Sequence, residues 1–292
     1  MESDYLDSKQ LISDIVLDTD NKMHKQCKFC GKLLHINDYT ALYVNIVYKD
    51  IATAYERCTC NEASKIWQQY DEYIEKDKIR KINLSKINKL FKNNNLGKRQ
   101  LNSTFENYKI TNKNKKAYEN TKKYVDKLIK ETTNKGLFIT GAYGVGKTYL
   151  ASCIANEIIK NGKSVIFGTL IQLLDFIRDS YSDSEVSDKD YLNLYSSVDL
   201  LVIDDLGKEK PTEWVLEKLF LIVNNRYNNY LPIVITTNYN RNQIRERLCI
   251  NKKYSNVDSI ISRIYEMCGG IEIKDDDHRM SDSLIRESLR NS

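Results

Sequence analysis

Gly141-Ala142-Tyr143-Gly144-Val145-Gly146-Lys147-Thr148 is the stretch on which the reading of this chain turns. It has the spacing of a phosphate-binding loop, in which glycines let successive backbone N–H groups turn toward phosphate and the following helix adds its positive end. The flanking residues agree. Gly136 to Thr140 forms an apolar strand before the loop, and Tyr149 to Lys160 has Leu150, Ile154, Ala155 and Ile158 at the spacing of one buried helix face. Lys147 is expected to bridge the β- and γ-phosphates as the only mobile cation there, with the Thr148 hydroxyl on Mg²⁺. Gly141, Gly144, Val145, Gly146 and Tyr149 would complete the contact with the nucleotide.

Working outward, further apolar runs fall at 164–168, 199–204, 233–237 and 270–274, separated by helix-length segments at about 147–160, 170–180, 211–229 and 240–267. Short β-rich runs alternating with helices imply right-handed crossovers and a parallel sheet covered on both faces, here of five strands. Leu200-Leu201-Val202-Ile203-Asp204-Asp205 is an apolar strand ending in two carboxylates. Asp204 is placed to hold the water shell of Mg²⁺, and Asp205 to orient or deprotonate an attacking water. Ile233 to Asn238 reads as a strand inserted between that one and the loop strand, with Asn238 as a water-positioning polar group at its end.

Toward the N-terminus the chemistry changes. Cys27-Lys28-Phe29-Cys30-Gly31 has the form of a knuckle whose N–H groups fold back on thiolates, and Cys58-Thr59-Cys60 follows. Four sulfurs satisfy tetrahedral zinc in a closed, structural site, although His24 or His35 could replace one Cys. Between the pairs, Leu42 to Tyr48 and Ile51 to Tyr55 read as a β-hairpin around Lys49-Asp50. Residues 61–95 read as a long helix, and residues 1–26 as an arm or single helix carrying Leu11, Ile12, Ile15 and Val16. The expected organisation is therefore 1–26, a zinc module at 27–60, helix and basic linker at 61–102, and the α/β domain at 103–292.

Composition bounds the rest. The chain has 292 residues, 41% of them apolar, which supports a large core and excludes disorder throughout. Residues 76–130 hold 17 Lys/Arg against 4 Asp/Glu, so the net charge of +5 conceals one strongly basic segment. Such a segment suits either nucleic-acid phosphate or a solvated helix and linker, and its many Asn and few aromatics leave both open. The acidic start, the absence of an 18-residue apolar run and the clustering of Cys in close pairs lead to the expectation of a cytoplasmic protein that makes no membrane contact.

These residues together resemble the AAA+ helicase loaders of the DnaC/DnaI type and the related IstB transposition helpers. The resemblance runs from Ser103-Thr104-Phe105-Glu106-Asn107 to Arg279, through the phosphate loop, Leu170 to Tyr181, Val198 to Gly207, Arg226-Tyr227 and Leu231 to Asn238. It implies a P-loop AAA+ ATPase, slow as a monomer, that docks on a DnaB-type replicative helicase through residues 1–95 and binds single-stranded DNA through its AAA+ domain. The cysteine pairs are like those of DnaI-type loaders and unlike IstB. The resemblance also implies a homo-oligomer in which a neighbour's arginine completes the ATP site; Arg263, in Ser262-Arg263-Ile264, is the first choice, with Arg226 and Arg279 as lesser candidates. Two features depart from the pattern. Only 18 residues follow Lys274, too few for a C-terminal helical lid, and His278 stands before Arg279 where such loaders often carry Tyr. Two other functions fit the same residues: a transposition helper, or an ATP-binding adaptor with negligible turnover.

Overall fold

The computed structural model describes residues 16–18, 25–35, 56–91, 96–180, 187–252 and 254–278. They fall into two compact units, residues 1–81 and 82–292.

In the first unit, β1 (Val16–Asp18), β2 (Lys25–Cys27) and β3 (Leu33–Leu34) form an antiparallel sheet, with Val16 opposite Cys27 and Lys25 opposite Leu34. This corrects the expectation for Val16, which pairs as a strand and does not continue a helical stripe. Its partner is the strand that delivers Cys27, so the sheet starts before the first cysteine. Leu11, Ile12, Ile15, His24 and the hairpin expected at 42–55 lie outside the described residues. Helix α1 (Asn61–Phe91) follows the second Cys pair. Near its start Ala63, Trp67 and Tyr70 are buried, and the Arg57 guanidinium sits 4.7 Å over the Trp67 ring while bonding Asp71 at 2.6 Å. A shell this small has little apolar surface with which to fold unaided.

The second unit begins inside α1. Ile87 is buried in its core, and the Asn83 side-chain amide donates to the Ser197 carbonyl at 3.0 Å. Asn83, Ile87 and, further on, Leu96 therefore pack with the α/β domain, in a stretch the sequence suggested as helix and linker. Helices α2 (Lys98–Leu101) and α3 (Lys115–Ile129) precede a five-stranded sheet. Its strands are β4 (Gly136–Gly141), β5 (Val165–Thr169), β6 (Leu200–Asp204), β7 (Ile233–Thr237) and β8 (Cys268–Ile273). They run parallel in the order β5-β6-β7-β4-β8, so β7 stands between β6 and the loop strand, as read from the sequence.

Alternate strand residues enter two cores. Phe138, Ile166, Leu201, Ile203, Ile233 and Ile235 pack on one side, and Leu137, Ile139, Val165, Leu200, Val202 and Val234 on the other. Burial on both faces is what makes these strands continuous apolar runs. The second face is covered by α3 and by α4 (Lys147–Lys160), which contributes Leu150, Ile154 and Ile158. The first is covered by α5 (Leu170–Asp179), α6 (Asp188–Tyr195), α7 (Glu213–Asn228), α8 (Arg241–Leu248) and α9 (Ser255–Met267). Helix α6 was not anticipated; it is short, and Ser187 opens it by donating its N–H to the Asp190 carboxylate at 3.0 Å. Among the described residues no helix is long and apolar enough to cross a membrane.

Candidate active site and metal centre

The sheet order places the C-terminal ends of β4, β7 and β6 side by side, where ligands of open α/β sheets bind. The loop leaving β4 needs left-handed backbone at Gly144 (φ 74°) and Gly146 (φ 93°), and Gly146 is the N-cap of α4. Side chains at these positions would be strained, which explains why the motif specifies glycine. The Lys147 ammonium is buried, donating to the Ala142 carbonyl within the loop at 2.6 Å. The Thr148 hydroxyl donates to both oxygens of Asp204, at 3.0 and 2.9 Å.

Asp204, only 5% exposed, also accepts the Thr236 hydroxyl at 2.5 Å. Burial pushes its carboxyl above the usual range, with the Asp205 charge adding to the rise while the two threonine hydroxyls oppose it. A buried anion of this kind suits a divalent cation, and Thr148 and Asp204 together supply the hard oxygen ligands Mg²⁺ takes. Asp205 adopts left-handed backbone (φ 60°), held by its N–H on Thr236 Oγ1 at 2.9 Å, and its carboxylate pairs with Lys208 at 2.6 Å. Asn238 lines the same cleft, and its side-chain amide nitrogen is buried without a partner in the protein. A donor left unpaired by the protein is open to a water or to a ligand atom in the cleft.

The cleft has a volume of about 450 Å³ and brings together Gly144, Gly146, Lys147, Thr148, Tyr149, Asp204, Asp205 and Asn238. Gly141 and Val145 support the loop from behind: a Cβ on Gly141 would meet the Ile273 carbonyl at 2.5 Å, and Val145 is fully buried. Lys147 is not the only mobile cation, since Arg99, Lys109 and Lys208 line the cleft as well. Motif spacing does not reveal these. Thr236 was in view, one residue before the Thr237-Asn238 pair, but only the strand register shows it between Asp204 and Asp205.

The arginines separate. Arg226 is 0% exposed and donates to the carbonyls of Tyr195, Val198 and Pro232 at 2.8, 3.1 and 2.6 Å. It ties α7 to the chain before β6 and β7, and no neighbouring subunit's nucleotide can reach it; its candidacy as a finger is withdrawn. Arg263 lies on α9, outside the cleft, with Nε on Asn224 at 3.0 Å and the guanidinium 5.2 Å from the Phe220 ring. Arg279 is outside the described residues.

In the N-terminal unit, Cys27, Cys30, Cys58 and Cys60 bring their sulfurs within 4.8 Å of one another, with Cys27–Cys60 at 3.7 Å and Cys30–Cys58 at 3.4 Å. Thiolates around tetrahedral zinc stand about 3.8 Å apart, given Zn–S bonds of about 2.3 Å, so the set fits the ion. Gly31 is left-handed (φ 71°), closing the knuckle with its N–H on the Cys27 carbonyl at 2.9 Å. Burial alone would raise the Cys27 thiol, but the N–H groups of Cys30 and Phe29, together with the Cys58 and Cys60 thiols, bring it down to about 7. Cys58, by contrast, is pushed up to about 12, chiefly by burial. His35 is not part of the four-sulfur cluster.

A family model described as IstB-like ATP binding protein matches residues 43–285. The chain belongs to the IstB-like ATP-binding protein family. Within it, the chain is similar to the replicative helicase loader DnaC of Escherichia coli strain K12, 29% identical over 186 residues, covering 62% of this chain and 74% of DnaC. It is also similar to the replicative helicase loader DnaI of Bacillus subtilis strain 168, 23% identical over 198 residues, which are 67% of this chain and 63% of DnaI. A crystal structure of the DnaC helicase loader superposes with a TM-score of 0.52 at 27% identity, covering 61% of this chain and all of that one. The α/β unit of this IstB-like protein thus has the P-loop AAA+ fold expected of it, with ATP as the ligand of the family. Cys27 and Cys30 precede the family match, so the metal centre stands on its own geometry.

Proposed function

We propose that this protein is an ATP-dependent loader that places a DnaB-type hexameric helicase on single-stranded DNA. The observation that carries the reading is the similarity to DnaC over 186 residues, in a chain whose phosphate loop, paired carboxylates and Asn238 converge on one cleft. Lys147 and the loop N–H groups bind the phosphates, and Thr148 and Asp204 hold Mg²⁺, which supplies charge neutralisation at the transferring phosphoryl group. Asp205 accepts the proton of the attacking water, and Asn238 orients that water. Arg263 from an adjacent subunit completes the site in the assembled homo-oligomer. Structural zinc on Cys27, Cys30, Cys58 and Cys60 holds the unit that, with the rest of residues 1–95, docks on helicase. The AAA+ unit contacts DNA.

The family description favours one second reading, an IstB-like transposition helper. Full-length protein mixed with a purified DnaB-type helicase separates the two. A loader co-purifies with the helicase and, with ATP, transfers it onto single-stranded DNA coated with binding protein. No complex with or without ATP, together with ATP-dependent filament formation on duplex DNA, would replace the loader with the helper. Measurable ATP hydrolysis in either case excludes the adaptor.

A further inference from the structure

The phosphate loop, Asp205 and Asn238 come from three separate strand ends, those of β4, β6 and β7. Hydrolysis requires that they keep one register. A pair of tyrosines spans them. Tyr143, the third residue of the loop, lines the cleft and is 54% exposed, and its hydroxyl lies 3.1 Å from that of Tyr239, the residue after Asn238. Either hydroxyl can donate. The loop motif leaves the position of Tyr143 open, so a large, exposed aromatic there answers to something other than phosphate.

Tyr239 is itself held in place. A Cβ on Gly207 would fall 2.9 Å from Tyr239 Cδ2, so the ring lies against the turn that follows Asp205. The Arg247 guanidinium stands 4.2 Å from the centre of that ring while its Nε bonds the Gly207 carbonyl. The Tyr239 N–H donates to Thr237 Oγ1 at 3.2 Å, and the Thr237 hydroxyl donates to the Leu206 carbonyl at 2.7 Å, which ties the segment after β7 to the same turn. Lys208 closes the circuit: its ammonium pairs with Asp205 at 2.6 Å and stands 5.7 Å from the centre of the Tyr143 ring. Asp205 thus lies in a ring of contacts that runs through Lys208, Tyr143, Tyr239, Arg247 and Gly207, and Tyr143 is its member on the phosphate loop.

We propose that Tyr143 and Tyr239 are positioning residues for hydrolysis, whose hydroxyl-to-hydroxyl bond fixes the phosphate loop against the segment carrying Asn238 and the turn carrying Asp205. Neither needs to touch the reacting atoms; both act through Asn238 and Asp205, which set the attacking water in line with the γ-phosphate. The proposal rests on the cleft being an ATPase site. A displacement of about 1 Å at a reacting group can cost on the order of a hundredfold in rate. The phosphates, by contrast, stay held by Lys147 and the loop N–H groups wherever the Asn238 segment sits. The bond therefore bears on turnover and leaves affinity alone.

The test compares full-length wild type, Tyr143→Phe, Tyr239→Phe and the double variant by equilibrium ATP binding and by single-turnover hydrolysis. Each substitution keeps the ring, with its Lys208 or Arg247 contact, and removes only a hydroxyl. Each single variant should lose about three- to tenfold in single-turnover rate, the size of one hydrogen bond, with ATP affinity within about twofold of wild type. The double variant should be no slower than the slower single one, because both changes delete the same bond. Unchanged rates in the single variants overturn the proposal. Losses that multiply in the double variant overturn the bond as their cause, and equal losses of affinity and rate overturn the positioning role in favour of plain binding. A wild type that binds ATP without turning it over overturns the ATPase reading and this role together, whereas a wild type that turns over no faster than its variants removes the role alone.

Discussion

Both carboxylate oxygens of Glu209 accept the backbone N–H of Gly207, each at 3.1 Å. The Arg247 guanidinium bonds the carbonyl of the same glycine, so the turn that follows Asp205 is gripped at both its polar groups. Glu209 is 7% exposed, and burial raises its carboxyl above the usual value despite the N–H groups of the turn, which lower it. A carboxyl raised in the folded state binds its proton more tightly there than in the unfolded chain. Its contribution to stability is complete below the unfolded value and is lost as pH rises through the folded one. Glu209→Gln keeps an acceptor and removes the charge, so melting temperature across mildly acidic to neutral pH should fall less steeply in the variant than in wild type. Glu209→Ala leaves the Gly207 N–H unpaired, at a cost of about 1–3 kcal/mol, and should slow hydrolysis more than Glu209→Gln because the Asp205 turn loosens. Thermal melts at several pH values and turnover of the two variants decide it; identical pH slopes for wild type and Glu209→Gln would dismiss the linkage.

Arg226 serves the fold. Removing it strands three buried carbonyls, and Arg226→Leu should destabilise the protein by about 3–5 kcal/mol, since each buried acceptor left unpaired costs about 1–3 kcal/mol. Its guanidinium has no route to a nucleotide, so the variant that remains folded at low temperature should bind ATP as wild type does. Urea unfolding and nucleotide titration would check both halves. A catalytic loss without a stability loss would restore Arg226 to the active site.

Legibility in the sequence followed locality. Strands buried on both faces announce themselves as apolar runs, and all five in the α/β unit lie within two residues of where the pattern puts them. The loop and the Asp204-Asp205 pair are legible because their spacing is set within one βα or strand-end unit. Tyr108, Lys109 and His278 reach the cleft only through tertiary folding, from segments whose own spacing carries no phosphate signature, whereas Lys208 stands three residues after Asp205 and pairs with it. Arg226 was misleading for the same reason. An arginine beside tyrosine late in an amphipathic helix reads as surface, and only the packing of α7 against the chain before β6 turns it inward. The β1 strand was missed because three residues are too few to establish a period, and its partner strand lies across a turn.

The four-cysteine cluster should hold one zinc per chain. Zinc bound by such a set contributes on the order of 10 kcal/mol of folding energy, far more than the few buried side chains around Trp67 can. Cys27→Ser should therefore unfold the N-terminal unit, exposing Trp67, while the cleft in the other unit keeps its nucleotide affinity. Elemental analysis, tryptophan fluorescence with and without chelator, and ATP titration of the variant are the measurements. Less than one zinc per chain in protein prepared without chelator would dismiss the metal.

Lys147 and Asp205 should fail in different ways. Lys147→Ala removes the cation inside the loop, but Lys109, Lys208 and Arg99 remain on the cleft wall. ATP affinity should thus drop about ten- to hundredfold, the value of a charge-assisted bond, without vanishing. Asp205→Asn leaves Thr148 and Asp204 in place for the metal, so ATP affinity should stay within about twofold while turnover falls. Equilibrium binding and single-turnover hydrolysis on both variants would show whether the two carboxylates are correctly assigned. Equal binding losses would exchange their roles.

Hydrolysis should depend on assembly. Three cations besides Lys147 line the cleft, but Lys208 is paired with Asp205, and Arg99 and Lys109 come from the chain before β4 rather than from the strand ends that carry Asp204, Asp205 and Asn238. The charge that spreads over a transferring phosphoryl group therefore lacks a rigid second cation, and an arginine supplied from a neighbour is worth roughly 10³ to 10⁵ in rate. Arg263 is suited to that part by its setting on α9. The bond to Asn224, the bond to the Ser259 carbonyl at 3.0 Å and the Phe220 ring hold its guanidinium in one place, partly exposed and away from its own cleft. A pre-held arginine loses little entropy when a second subunit's nucleotide meets it. Turnover per subunit should rise with protein concentration, rise further on single-stranded DNA if DNA aligns the subunits, and lose the DNA effect steeply with salt. Arg263→Ala should keep ATP affinity and abolish the rise. Asn224→Ala, which frees the guanidinium without removing it, should blunt the rise by a smaller factor. A rate independent of concentration, or a rise that survives Arg263→Ala, would place the completing cation elsewhere, with Lys208 of the same subunit the next residue to test.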